Sequence, residues 1–128
     1  MVDFMPEVFD TLYNVVTEEY PEADLASEYV NQPSAFPHVQ IWKESDTTPR
    51  NGMNLSGDEC FSNVVVHIEI FDNGTDGLGK ENVEKILSLI DPAMRLMGFR
   101  RTYCSPVPNF RDASVYRVVT RYSKIQPN

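Results

Sequence analysis

Two segments of the chain place apolar residues at helical spacing. The first runs from about Pro6 to Tyr20, where the apolar residues form one stripe and the charged residues lie mostly off it. Pro21 ends this helix because proline cannot continue the backbone hydrogen bonding. The second runs from about Lys80 to Met97, and Asp91-Pro92 predicts either a kink or the start of another short helix there. Gly98 is a natural C-terminal stop for this helix.

Other segments alternate apolar and polar residues, which is typical of strands. The predicted strands are His38–Glu44, Cys60–Phe71, Phe99–Cys104 and Ala113–Lys124, with a short extended segment around Leu25 to Val30. Because helix, strands, helix and strands follow one another, residues 1–128 are predicted to form a single α+β domain. Its sheet is expected to be mostly antiparallel, with two main helices packed on one face.

A long polar segment separates the first two strong strands. Residues 45–59 read SDTTPRNGMNLSGDE and contain almost no side chain suited to a core. Loops in compact domains have a median length of about 4–6 residues. We therefore expect a long polar loop at 45–59 that is either functional or mobile.

Charge is divided unevenly along the chain. The net charge is -8, from 11 basic and 19 acidic residues. Residues 1–70 hold 13 acidic and two basic residues, whereas residues 71–128 hold nine basic and six acidic residues. The acidic total argues against sequence-independent binding to nucleic acid, which requires clustered Lys and Arg. The division predicts that the two halves either pair internally or face different neighbours.

No set of residues makes a persuasive catalytic, cofactor or metal site. Residues 74–80 fit the G-x-x-x-x-G-K part of a phosphate-binding loop, but Glu81 stands where such a loop needs Ser or Thr. His38 and His67 lie within predicted strands without partners at metal-ligand spacing, so each is interpreted as a sheet histidine. The two cysteines, Cys60 and Cys104, are interpreted as reduced packing residues. An enzyme is not expected, and neither is a membrane span or a signal peptide.

The arginines of the C-terminal part suggest a binding surface. Arg117 and Arg121 share one face of the last strand with Val115 and Val119, and Arg100-Arg101 begins the neighbouring strand. One interpretation of these arginines is an ordinary solvated sheet face, because charged residues are mostly exposed. The other interpretation is a basic protein-binding surface, since arginine is favoured at interfaces.

The sequence resembles the tail terminator, or tail completion, proteins of tailed bacteriophages over roughly residues 5–125. The residues that carry the resemblance are Ser27-Glu28-Tyr29-Val30, Pro33-Ser34, Phe36-Pro37, Asp91 with Met94, Gly98-Phe99-Arg100-Arg101, Pro108-Asn109-Phe110, Asp112, and Tyr116-Arg117 through Arg121-Tyr122. The resemblance implies a structural virion protein of the tail or neck, assembled in the host cytoplasm, with a small sheet flanked by helices. Such a protein forms a ring, usually of six subunits, that caps the tail tube, ends its polymerisation and provides the surface that joins the head.

The implied partners are further copies of the chain, the tail tube protein, and a head-tail connector or head-closure protein. DNA would pass through the ring without specific binding. Ring contacts are heterologous, so an acidic patch on one subunit could meet a basic patch on the next. The candidate interface residues are Arg100, Arg101, Arg117 and Arg121 on the basic side, and Asp58 and Glu59 on the acidic side.

Three alternatives stay open. Another neck component, such as a head-closure or connector-stopper protein, or the collar of a contractile phage-tail-like particle would belong to the same broad class. A protein that binds a small ligand on its sheet is a second possibility. An enzyme centred on Lys80 is the third.

Overall fold

The computed structural model describes residues 5–30, 33, 35–47, 61–74, 77–107 and 114–127. Its elements follow the predicted order, with ends shifted by a few residues. They are α1 (Met5–Glu19), β1 (Asp24–Ala26), β2 (His38–Thr47), β3 (Phe61–Asp72), α2 (Gly79–Leu96), β4 (Arg100–Pro106) and β5 (Tyr116–Pro127). The predicted α+β class, with a mostly antiparallel sheet and two helices on one face, is confirmed.

The structure corrects two predicted boundaries. Residues 45–47 continue β2 rather than begin the polar loop, and residues 48–59 lie outside the described part of the chain. Helix α2 also runs unbroken through Pro92, so the alternative of a second short helix is wrong. Proline removes one hydrogen-bond donor, but packing of a long apolar stripe can hold a helix through such a position.

One five-stranded sheet, in the order β1-β2-β3-β5-β4, forms the centre of the domain. Strand β1 pairs in parallel with β2, and all other neighbours are antiparallel. The central strand β3 is the apolar one: Val64, Val66, Ile68 and Ile70 point to the same face and are fully buried. A central position suits this strand because β-branched residues pack well on a pleated surface.

Both helices cover that apolar face. Val8, Leu12 and Val16 of α1 and Val83, Ile86, Ile90 and Met94 of α2 enter the same core as the sheet residues. Helix α1 contacts β2, whereas α2 contacts β3, β5 and β4. Thus α1 lies toward the β1–β2 side of the sheet and α2 toward the β4 side, which separates the acidic N-terminal helix from the arginines of β4.

Gly98 ends α2 as its sequence position predicts. Its φ of 90° lies in the left-handed region, where a side chain would be strained. The amide of Gly98 donates to the carbonyl of Arg95, and the amide of Phe99 donates to that of Met94, each at 2.9 Å. This pair of hydrogen bonds satisfies the last helical carbonyls and turns the chain directly into β4.

Within the described ranges, neither helix has the length and apolar character required to span a membrane.

Candidate functional site

Arg117 and Arg121 lie on the sheet face opposite the helices, as the alternation of β5 predicts. Their strand pairs with β3, where Arg121 stands beside His67 and Arg117 beside Phe71. Strand β2 continues this face, with Trp42 beside His67 and Gln40 beside Glu69. We call this surface, made of the outward residues of β2, β3 and β5, the open face.

Arg117 is paired within its own subunit. Its guanidinium donates to Glu69, a carboxylate that is only 2% exposed, and its side chain also lies over the Phe71 ring. Gln40 donates from Nε2 to the other oxygen of Glu69 at 3.1 Å. Burial alone raises the pKa of Glu69, but the nearby His67, Arg117 and Gln40 outweigh burial and hold this pKa below its ordinary value.

Arg121 is paired as well, in a more exposed position. Its Nε donates to Glu44 Oε1 at 3.0 Å, and both side chains are 37% exposed. This hydrogen bond from Arg121, followed by that from His67, lowers the pKa of Glu44. Arg121 also stacks over Tyr103 of β4, with its guanidinium carbon 4.9 Å from the ring centroid.

The two histidines connect these pairs to the sheet edge. His67 Nδ1 lies 3.2 Å from Glu44 Oε1, and its Nε2 lies 3.3 Å from Glu69 Oε2, where no hydrogen bond is formed. His38 Nδ1 lies 3.0 Å from Asp24 Oδ2. Both rings are buried, which agrees with their interpretation as sheet histidines. Among the residues that the structure describes, no group of three or more His, Cys, Asp or Glu side chains could hold a metal ion.

Aromatic side chains cover part of this polar network. The Trp42 ring stacks on His67 with centroids 4.2 Å apart, and Tyr29 meets Trp42 edge-on at 5.8 Å. The open face therefore holds internally paired charges, buried at Glu69 and partly solvated at Glu44, rather than a row of solvated arginines. Such a network fixes side chains in place, because a buried charge without its partner is costly.

A second basic region lies where α2 turns into β4. Here Asp91, Arg95, Gly98, Phe99, Arg100 and Arg101 line a cleft of about 530 Å³. Asp91 is the one carboxylate among the described residues that line it; Arg95 binds it at 2.6 Å and Arg101 lies 3.7 Å from it. The Tyr122 hydroxyl donates to Asp91 at 3.0 Å, and burial, followed by this carboxylate, raises the pKa of Tyr122.

The candidate interface residues thus separate into two groups. Arg117 and Arg121 come together on the open face, whereas Arg100 and Arg101 line the cleft at the end of α2. Asp58 and Glu59 lie outside the described residues. The sequence prediction missed the acidic partners of the arginines, Glu69 and Glu44, although their strand position on the same face was a usable signal.

The cysteine interpretation needs one correction. Cys104 is a free, exposed thiol on β4 and not a packing residue. Strand β4 forms an edge of the sheet, and nearly all of its residues are exposed. Cys60 lies outside the described residues.

Compared with known proteins, the chain matches no family model and no curated protein significantly.

Proposed function

We propose that this protein is a tail terminator of a tailed bacteriophage, a structural subunit that forms a ring on the tail tube. The ring would end polymerisation of the tube and provide the surface on which the head is joined. The proposal starts from the sequence resemblance over residues 5–125, and the α+β fold with its helices on one face agrees with what that resemblance implies.

The observation that carries the proposal is the separation of charge across the folded domain. Residues 5–30, which include α1, contain seven acidic residues and no basic one. Toward the opposite edge of the sheet, the end of α2 and the start of β4 bring together Arg95, Arg100 and Arg101. A subunit with opposite charge on opposite sides suits heterologous contacts, which close into a ring when the rotation between copies allows it.

The internal pairing of Arg117 and Arg121 changes where the ring contact is expected. Their guanidinium groups are already bound to Glu69 and Glu44, so they are less available to bind a neighbouring subunit. Arg100, by contrast, forms no ion pair within the described part of the chain. We therefore place more of the intersubunit contact at Arg100 and Arg101 than at the arginines of β5.

Deleting the gene from a phage that carries it tests the function directly. Particles are examined by electron microscopy after induction or infection. A terminator is expected to leave overlong tails without heads, because nothing stops the polymerising tube. Empty heads beside tails of normal length would instead indicate a head-closure protein, and normal complete virions would contradict a role in the neck.

Purified components give a second test of the same function. The tail tube protein of that phage is polymerised with and without the purified chain, and tube lengths are measured. We expect the chain to shorten the tubes and to be visible as a ring at one end. Tubes of unchanged length with bare ends would refute the proposal.

A further inference from the structure

An exposed apolar residue follows Arg95 of the cleft at the end of α2. Leu96, the last residue of α2, is 90% exposed and follows Arg95 directly. With Arg100 and Arg101 it forms a surface that we call the basic flank, defined by Arg95, Leu96, Arg100 and Arg101. Among the described residues there, three guanidinium groups accompany one carboxylate, that of Asp91, so these residues together carry a net positive charge.

The opposite side of the domain carries the complementary charge. Tyr20, just after α1, donates from its hydroxyl to Asn82 of α2 at 3.3 Å. Helix α2 therefore lies on the side of α1 toward which Tyr20 points. Residues two apart in a helical turn point in nearly opposite directions, so Glu18 is turned away from α2. Glu7 lies eleven residues earlier and shares that side. We call the exposed residues Glu7, Asp10, Glu18 and Glu22 the acidic flank.

The described part of the chain supplies no cation that pairs with the acidic flank. None of its four carboxylates forms an ion pair within the residues that the structure describes. Glu7 and Asp10 lie three residues apart on α1, where like charges repel one another in the isolated subunit. A basic partner would relieve that repulsion, and the basic flank of another copy has the required sign.

The edge strand itself is poorly suited to joining two sheets. Strand β4 has an irregular register between Arg101 and Tyr103, and it ends at Pro106, which lacks an N–H donor. Bulges and prolines are the features that keep an edge strand from pairing with another chain. Contact at this side of the molecule is therefore expected through side chains and not through a continued sheet.

We propose that the basic flank of one copy binds the acidic flank of the next copy. This inference rests on the ring function proposed above, and it names the surfaces that build the ring. Because α1 lies toward the β1–β2 side and α2 toward β4, the two flanks occupy opposite sides of one subunit. Each copy can then bind one neighbour on each side.

Charge exchange tests the contact without disturbing internal pairs. One variant, L96E/R100E, changes two side chains that take no part in the ion pairs of the described chain. A second variant, E7K/D10K/E18K, reverses the sign of the acidic flank. Each alone is expected to weaken self-association by about tenfold or more, because like charges then face one another. The five substitutions combined in one chain are expected to restore it.

The matched control is K85E, which changes an exposed residue of α2 outside both flanks. Self-association is measured by analytical ultracentrifugation, and circular dichroism verifies that every variant is folded. Loss in both single-flank variants with recovery in the combined chain supports the contact. Unchanged association in the single-flank variants, or no recovery in the combined chain, overturns it.

Disulfide trapping is a second test of the contact, and it detects the contact between copies that associate only weakly. Leu96→Cys and Glu18→Cys are placed together in a chain whose two native cysteines are replaced by serine. Oxidation is expected to give a ladder of linked copies that ends at the ring size. The control carries Lys85→Cys instead of Leu96→Cys, and a ladder no stronger than that of the control overturns the contact.

The tube-capping assay separates this inference from the function on which it rests. If the wild-type chain shortens tubes and L96E/R100E does so equally well, the flank contact is wrong and the terminator function stands. If the flanks link copies but the wild-type chain leaves tube length unchanged, the contact stands and the function is wrong.

Discussion

The pair formed by Arg117 and Glu69 is expected to be the most sensitive ionic contact of the fold. Replacing Arg117 with alanine leaves the Glu69 carboxylate, 2% exposed, with only Gln40 and the nearby His67 as polar neighbours. Removing one member of a buried ion pair typically costs about 3–5 kcal/mol. Because Arg117 itself is 25% exposed, we expect the lower end, about 3 kcal/mol.

The size of this effect is large beside the total stability of a small domain, which is about 5–15 kcal/mol. For a chain of this length it corresponds to a fall in Tm of about 10 °C. Urea unfolding at neutral pH, followed by circular dichroism, measures the difference between wild type and Arg117→Ala. The matched control is Arg100→Ala, an exposed arginine for which we expect a change of less than about 0.5 kcal/mol.

The effect should also depend on pH with a defined sign. The folded-state pKa of Glu69 is lowered, so its stabilising contribution is fully present above the ordinary carboxyl pKa of 4.5. It is lost as the pH falls through the lower folded-state value, where the carboxylate becomes protonated. The difference between wild type and Arg117→Ala is therefore expected to be constant from pH 6 to 7 and to shrink below about pH 4. A difference as small as that of the control, or one that grows on acidification, would refute the reasoning.

Three further outcomes follow from other contacts. Arg121→Ala should cost only about 0–1 kcal/mol, since its pair with Glu44 is partly solvated, and raising the salt concentration in urea unfolding should reduce that cost. Tyr122→Phe should cost about 1–2 kcal/mol, because the buried hydroxyl donates to Asp91, and an unchanged urea midpoint would argue against that hydrogen bond. Gly98→Ala should lower Tm by several degrees, at about 1–2 kcal/mol, since its φ of 90° strains any side chain; thermal unfolding that matches wild type would contradict this.

The pairing on the open face also governs how the arginines of β5 can be tested. Substituting glutamate for Arg117 would place a second carboxylate beside buried Glu69, so the variant would lose stability whether or not a neighbour binds there. Loss of tube capping in such a variant would not report on an interface. Arg100 and Leu96 are the better positions for such a test. Arg100 forms no ion pair within the described chain, and Leu96 is 90% exposed.

Much of the fold followed from local rules. The helical stripe of α2, the stop at Gly98 and the β-branched run of β3 each have a short-range physical cause, and each lies where the pattern predicts. The errors concern features that depend on distant partners. The continuation of β2 through residues 45–47 depends on pairing with β3, for example Ser45 beside Val65. The unbroken passage of α2 through Pro92 depends on packing against the sheet.

The sequence alone determined the composition of each surface: an acidic first helix, two arginines on one face of β5, and basic residues after α2. Only the tertiary structure decided which of these charges neutralise one another. Glu69 and Arg117 are 48 residues apart, and they meet because β3 and β5 pair in a particular register. Register is a property of the whole sheet, so strand position alone did not show that the arginines of β5 are paired while Arg100 forms no ion pair within the described residues.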